Sequence, residues 1–389
     1  MSRITGTDEV MSPAGDHKGD DSFLVPDYGG RCLTELVPTL MRLDELKVRA
    51  ALPDWVPPSV AEASKIVLLI LDGLGAAQLA ERKVVAPTMS AMAYSTLTSV
   101  APTTTASALT SIVTGRTPAE HGVVGYRVRV GGEVLNVLRW TTPSGDARNE
   151  VRPRAFQQFP PFLGRRVPVV SKAEFARTGF TEAHLSGADL LGYRLSSTLP
   201  VLISEALDRG APFVYAYYDG IDAIAHMTGL GAYYDAELHA TDGLVEDIVD
   251  RLPKDAALVV SADHGQVEVN AAPIGIGDEV MADVDGLSGE GRFRWLHARH
   301  GAADRVAEIA AQRLGDLCWV RTLDELVDAG IFGGSLPDAF RRRLGDVALM
   351  ARAPVSFFDP ADPADAHLVG RHGSLTKEEL LVPLLGVAK

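Results

Sequence analysis

Three stretches of the chain are apolar without alternation, and each runs into an acidic residue. Lys65-Ile-Val-Leu-Leu-Ile-Leu71 meets Asp72-Gly-Leu-Gly75, and Ala211-Pro-Phe-Val-Tyr-Ala-Tyr-Tyr218 meets Asp219. Ala257-Leu-Val-Val-Ser261 stops just before Asp263-His264-Gly265. Runs of this kind predict strands buried on both faces, as in a parallel sheet. Ahead of the third run, Leu238, Leu244, Val245, Ile248 and Leu252 recur at helical spacing, so residues 232–252 read as an amphipathic helix. Strand, helix, strand predicts a right-handed crossover, with helices covering both sheet faces.

Two regions break this rhythm. Around Gly131-Gly132 the sequence alternates, which predicts a β-hairpin from Val123–Val130 and Glu133–Leu138. Residues 271–365 predict a strand at 292–297, a helix at 302–314, a strand at 317–321, a short helix at 323–329 and a strand at 346–351. They read as a small α+β insertion or lid. Residues 22–270 and 366–389 then form the catalytic α/β core. Thr376-Lys-Glu-Glu379 has the pattern of a capping box opening a last short helix.

Composition narrows the function. The 389 residues are 46% hydrophobic and 23% charged, ordinary for a globular protein. The net charge of −14 argues against a nucleic-acid polymer as partner, since backbone binding needs Lys and Arg. Bound cations reverse such a field locally, so a small anionic substrate fits. Cys32 and Cys318 are too few and too far apart for a disulfide scaffold or a thiolate metal site. Residues 1–21 are rich in Gly, Asp and Ser; they read as a disordered segment without the apolar stretch of a secretory signal. No apolar run approaches the ~18 residues of a membrane span, and the expectation is a cytoplasmic protein.

The acidic strand ends are where open parallel sheets collect ligands. Asp222 and His226 are four residues apart, which on a helix places both on one face within reach of one metal ion. An exposed ion pair would give the same spacing. Asp263-His264-Gly265 can serve one ion only in a tight turn, which its glycine permits. Asp72 could equally cap a helix starting near Ala76. His372 lies between glycines in Gly370-Arg-His-Gly373, whereas His121 follows a Thr-Pro helix entry and reads as structural. In Pro102-Thr-Thr-Thr105 the hydroxyls stand at a helix start. Free N–H groups there suit a phosphate, although Thr is also an ordinary N-cap.

Taken in order, these segments resemble the nucleotide pyrophosphatase/phosphodiesterase family of the alkaline phosphatase superfamily. Its first Asp matches Asp72, and its Pro-Thr-x-Thr followed by Thr-Gly matches Pro102 to Thr105 with Thr114-Gly115. Its Asp-x-x-x-His matches Asp222 and His226, its Asp-His matches Asp263 and His264, and its Gly-x-His-Gly matches Gly370 to Gly373. The resemblance implies an alkaline-phosphatase-like three-layer sandwich with a mostly parallel central sheet. It implies Thr105 as nucleophile, forming a phospho-enzyme. It also implies two zinc ions (Mn2+ or another divalent ion fits the same donors): one on Asp222, His226 and His372, the other on Asp72, Asp263, His264 and the Thr105 oxygen. The chain departs from the family where Phe-Pro-Asn usually follows the nucleophile, having Ala106-Ser-Ala108. Tyr126 stands where an Asn usually holds a phosphoryl oxygen. Ala106 and Tyr126 are therefore the candidate substrate-binding positions.

The expected activity is hydrolysis of a small phosphodiester or phosphoric anhydride, with a nucleotide as one candidate. One alternative is a phosphomonoesterase or phosphonate hydrolase on the same fold, with Arg116, Arg127 or Arg371 neutralising the extra charge. The other is an inactive, metal-stabilised binding protein. The oligomeric state is not encoded in any of these patterns.

Overall fold

A computed structural model describes residues 22–389; the expected disordered segment 1–21 lies outside the described residues. The core is a seven-stranded sheet built from β1 (Lys65–Leu71), β2 (Ala93–Thr98), β3 (Pro168–Lys172), β4 (Asp189–Tyr193), β5 (Phe213–Tyr218), β6 (Ala256–Ser261) and β7 (Leu381–Ala388). Their order across the sheet is β2-β7-β6-β1-β5-β3-β4. β6, β1, β5, β3 and β4 run parallel, and β7 is antiparallel to both of its neighbours.

The three apolar runs occupy the centre of this sheet, β1 between β5 and β6. Ile66 to Leu71 are all buried, as a strand covered on both faces requires. Leu69 has no exposed surface, so trimming it to Ala should cost about 2–5 kcal/mol. The edge strands β2 and β4 show more exposed positions, which is why uniform apolarity does not mark them. The helices that matter for the site are α1 (Thr105–Thr114), α2 (Gly220–Thr228) and α3 (Ala232–Arg251). α3 buries Leu238, Leu244, Val245 and Ile248 on one stripe.

The hairpin pairs Arg127–Val130 with Glu133–Asn136, shorter than its alternation suggests; Val123 to Tyr126 leave the ladder. Within 271–365 lies a four-stranded antiparallel sheet of Val284–Glu290, Phe293–Ala298, Val347–Ala351 and Cys318–Thr322, in that spatial order. One face packs with the helix Ala303–Leu314 into a small core of its own around Leu296, Val306, Val347 and Leu349. The other face sends Phe293, Trp295, Ala348 and Met350 into the main core. Among the described residues, no helix is long and apolar enough to cross a membrane.

One local expectation is corrected. Lys377–Leu380 is helical after Thr376, but Glu379 does not close a capping box. Its carboxylate is fully buried and receives two 2.8 Å hydrogen bonds from Arg292, one from Nε and one from Nη2. Thr376 Oγ1 still donates to Glu379 Oε2 at 2.8 Å, but the carboxylate is taken up by Arg292 and does not reach back to the Thr376 backbone N–H. The chain then continues into β7, where the sequence reading places only the short helix.

Candidate metal centre

β1 ends at Asp72, whose backbone N–H is bound by the Tyr218 carbonyl at the end of β5. β6 ends two residues before Asp263. The turn between them is tight: Asp263 Oδ1 accepts from the N–H of Gly73 at 3.1 Å and from the N–H of His264 at 3.0 Å. Gly73 has φ of 74°, the left-handed region that a glycine occupies without strain. β5 leads into α2, which puts Asp222 and His226 one turn apart.

His372 arrives from the far end of the chain. The segment ahead of α1 is zipped to it: Thr103 N–H donates to the Gly373 carbonyl (3.1 Å), and Gly373 N–H donates to Thr103 Oγ1 (3.0 Å). Thr103 Oγ1 in turn donates to the Ser374 carbonyl at 2.8 Å. This fixes His372 beside Thr105, the first residue of α1.

The side chains converge on two adjoining groups. Ligand atoms of Asp72, Asp263 and His264 lie within 4.8 Å of one another, and so do those of Asp222, His264 and His372. His264 Nε2 is 3.2 Å from Thr105 Oγ1, 3.5 Å from Asp72 Oδ1 and 3.4 Å from Asp263 Oδ2. His226 Nε2 is 3.3 Å from Asp222 Oδ1. The His264 ring stacks on His372 at 3.6 Å, so it borders both groups, where the resemblance assigns it to one. All seven of the expected residues are thus brought together.

Three features suit divalent cations. Asp72 Oδ1 and Asp263 Oδ2 are buried without a hydrogen-bond partner, which is costly for a carboxylate. Each histidine turns Nδ1 toward a backbone carbonyl: His226 to Gly370 (2.6 Å), His372 to Thr103 (2.8 Å) and His264 to Gly265 (3.2 Å). That arrangement, with Nδ1 carrying the proton, leaves the three Nε2 lone pairs for a metal. The donor set of imidazole and carboxylate is the mixture zinc-type ions take.

The electrostatics agree. Burial, then the charges of Asp263 and Asp222, pushes Asp72 well above the usual carboxylate range. Burial also raises Asp222 and Asp263. His264 is lowered by burial, and His372 well below its ordinary value by burial and by the two neighbouring imidazoles. Both histidines are therefore neutral, the ligating form.

Around these groups stand residues that the sequence did not single out. Tyr217 donates its hydroxyl to Asp72 Oδ2, and Gln266 Nε2 donates to Asp222 Oδ1 at 2.6 Å. Gln266 follows His264 by two residues, a spacing that could have nominated it. Tyr217 is one aromatic in an apolar strand, with no such signal. Of the candidate substrate positions, Ala106 is fully buried, leaving only its backbone N–H in the first turn of α1 to meet a ligand. The Tyr126 hydroxyl accepts from Asn136 Nδ2 at 2.7 Å, which leaves its own proton to donate.

Two of the proposed charge-neutralising arginines are spent elsewhere. Arg127 pairs with Asp359 at 2.5 Å and Arg371 with Asp365 at 3.1 Å, both guanidinium groups buried. Arg116, beyond the other end of α1, is exposed and paired with Glu120 at 2.9 Å. His121 is held between Ser111 (2.8 Å) and the Val123 N–H (3.0 Å), and burial lowers it to about 3.

Residues 66–375 match the type I phosphodiesterase / nucleotide pyrophosphatase family. Murine ectonucleotide pyrophosphatase / phosphodiesterase 5 superposes with a TM-score of 0.64 at 15% identity, covering 84% of this chain and 88% of that one. An inactive threonine-to-alanine variant of the same murine protein, in complex with AMP, gives 0.64 at 15% identity over 82% and 87%. Phosphonoacetate hydrolase from Sinorhizobium meliloti 1021, in complex with phosphonoacetate, gives 0.60 at 18% identity over 84% and 90%. No curated protein matches the chain in sequence. These likenesses show the alkaline-phosphatase-like fold, with its mostly parallel sheet covered by helices on both sides.

Proposed function

The chain belongs to the type I phosphodiesterase / nucleotide pyrophosphatase family and is a hydrolase of phosphorus–oxygen bonds, and we propose that it cleaves small phosphodiesters or phosphoric anhydrides through a Thr105 phospho-enzyme. The observation that carries this reading is the convergence of Asp72, Asp263 and Thr105 on His264 Nε2, with two carboxylate oxygens left unpartnered. Asp222, His226 and His372 would hold one zinc ion; Asp72, Asp263, His264 and the Thr105 oxygen would hold the other. Bound there, the ions supply Lewis-acid polarisation of the phosphoryl group and neutralise its charge.

The chain's own residues do the rest. Thr105 presents its oxygen at the start of α1, where the first-turn N–H groups and the helix dipole favour an anion. Its oxygen loses the hydroxyl proton to solvent and forms a bond to phosphorus as the bond to the leaving oxygen breaks, and the leaving oxygen takes up a proton. Water then attacks the phosphothreonine, the phosphorus–Thr105 bond breaks, and the hydroxyl is restored. The Ala106 N–H and the Tyr126 hydroxyl are the donors for the non-bridging oxygens.

A diester is favoured over a monoester because the arginines that could neutralise a third oxygen are already paired. The likeness to a protein seen with phosphonoacetate keeps phosphonates within the substrate panel. The test is Thr105→Ala assayed on bis(p-nitrophenyl) phosphate, p-nitrophenyl phosphate, a mononucleotide ester and phosphonoacetate, with metal content by mass spectrometry. Turnover should fall by about 10³-fold or more while two ions per chain remain. Undiminished turnover removes Thr105 as nucleophile, and faster monoester than diester hydrolysis overturns the substrate class.

A further inference from the structure

The hairpin of the inserted sheet turns at Glu290-Gly-Arg292, and the strand ending in Glu290 lies along the Arg127–Val130 strand. A charged residue at a hairpin tip ordinarily faces water. Glu290 instead points inward and is 8% exposed, with both carboxyl oxygens buried.

Its neighbours come from three separate parts of the candidate site. The Thr104 hydroxyl, adjacent to Thr105, and the Tyr126 backbone N–H are near enough to act on its carboxyl, although neither closes a hydrogen bond of normal geometry. Its stem packs on Gly373, next to His372; a β-carbon there would come within 2.6 Å of Glu290 Cγ. Gly373 also has φ of 126°, so the turn carrying His372 is shaped around this side chain. Arg294, from the neighbouring strand, and Asp365 are the charged groups facing it. Arg294 is itself committed to the Gly289 and Phe357 carbonyls and to Asp359.

We propose that Glu290, contributed by the insertion, is a positioning residue that braces Thr104, Tyr126 and Gly373 around the phosphoryl site. This role rests on the reading of Thr105 and Tyr126 given above. It makes residues 271–365 a fixed wall of the catalytic unit, consistent with Phe293, Trp295 and Met350 anchoring their sheet in the main core. Burial pushes the Glu290 carboxyl up to about 8. A carboxyl that keeps its proton carries one donor and one acceptor, the two functions a glutamine side chain retains.

Glu290→Asp withdraws the carboxyl by one methylene without changing its chemistry; Glu290→Gln keeps shape, donor and acceptor; Glu290→Ala removes all three. Steady-state kinetics on bis(p-nitrophenyl) phosphate should show kcat lowered about 10²-fold in the Asp and Ala variants, the cost of an ångström-scale misplacement. KM should move less than about threefold, and Gln should recover at least about tenfold of the loss. Metal per chain and thermal midpoint should stay at the wild-type values in the Asp variant, which carries the test if the Ala variant fails to fold. Wild-type kcat in the Asp variant, a loss confined to KM, or a Gln variant no better than Asp overturns the role. Thr105→Ala assayed alongside keeps the two readings apart. Activity surviving there removes the nucleophile, whereas wild-type kcat in the Asp variant beside an inactive Thr105→Ala removes only the brace.

Discussion

Two clusters of buried charge lie in this molecule, and they solve the same problem differently. In the first, Asp72, Asp222 and Asp263 face three imidazoles, and no Lys or Arg pairs with any of the three among the described residues. In the second, Arg127, Arg294 and Arg371 meet Asp359, Asp362 and Asp365 through contacts of 2.5 to 3.6 Å. The second cluster carries its own counter-charges, three guanidinium groups for three carboxylates. The first leaves carboxylate oxygens unpartnered and carboxylates raised above their ordinary range. Charge that a protein buries without compensating is charge held for a ligand, and this contrast separates a site from a scaffold where burial alone does not.

The contrast can be broken most directly at Asp263. Asp263→Asn should lose bound metal and lower kcat/KM on the order of 10³-fold or more, equivalent to several kcal/mol of lost charge stabilisation. Full metal content and activity in that variant would make the first cluster scaffold as well. The converse change, Arg294→Ala, leaves three carboxylates to two guanidinium groups, with Asp359 still on Arg127 and Asp365 still on Arg371. It should cost about 3–5 kcal/mol in urea melts and leave metal per folded chain unchanged; a variant that unfolds no more easily, yet loses metal, would join the two clusters into one.

Acidity should set the metal-free and metal-loaded proteins against each other. Asp72, Asp222 and Asp263 have folded-state pKa values above their unfolded value of about 3.9, so above that pH the metal-free fold binds more protons than the unfolded chain. Its stability should therefore fall as pH rises from about 4 through the raised values. The loaded protein holds these groups deprotonated, so its stability should fall as pH drops and metal is released. Thermal melts at pH 5 and pH 8, with and without chelator, should slope in opposite directions; equal slopes would mean the carboxylates are not the ligands. The smallest effect belongs to Arg116→Ala. Its pair with Glu120 is 48% and 41% exposed, so less than about 0.5 kcal/mol and no change in monoester rate are expected.

What the sequence disclosed divides along physical lines. The central strands were legible because burial on both faces leaves nothing to alternate, and the acidic residues were legible because they interrupt those runs at one end. β3 and β4 were not, since they are short and lie toward a sheet edge, where Ser171, Lys172 and Asp189 read as loop. β7 was hidden by Pro383, which a strand between two neighbours seldom contains. Glu290, Arg292 and Arg294 carry charge at and beside a hairpin turn, and nothing in their spacing marks them as buried. Each is buried because its neighbour lies far away in the chain, Glu379 for Arg292 and Asp359 for Arg294. A spacing rule cannot see such pairs. His226 and Asp222 share a helix turn, so theirs could be seen.

The zipping of Thr103 to Gly373 joins segments 270 residues apart, and β7 enters the sheet between β6 and β2. During synthesis, a ribosome will have delivered Thr105 and six strands of the sheet well before His372 and the strand that completes it exist. The nascent chain therefore carries an open sheet edge and an incomplete ligand set until residues 372–388 emerge, and contacts of such long range form slowly. Hydrolytic competence waits for Gly373 to close on Thr103, and it reports that these two distant segments have met.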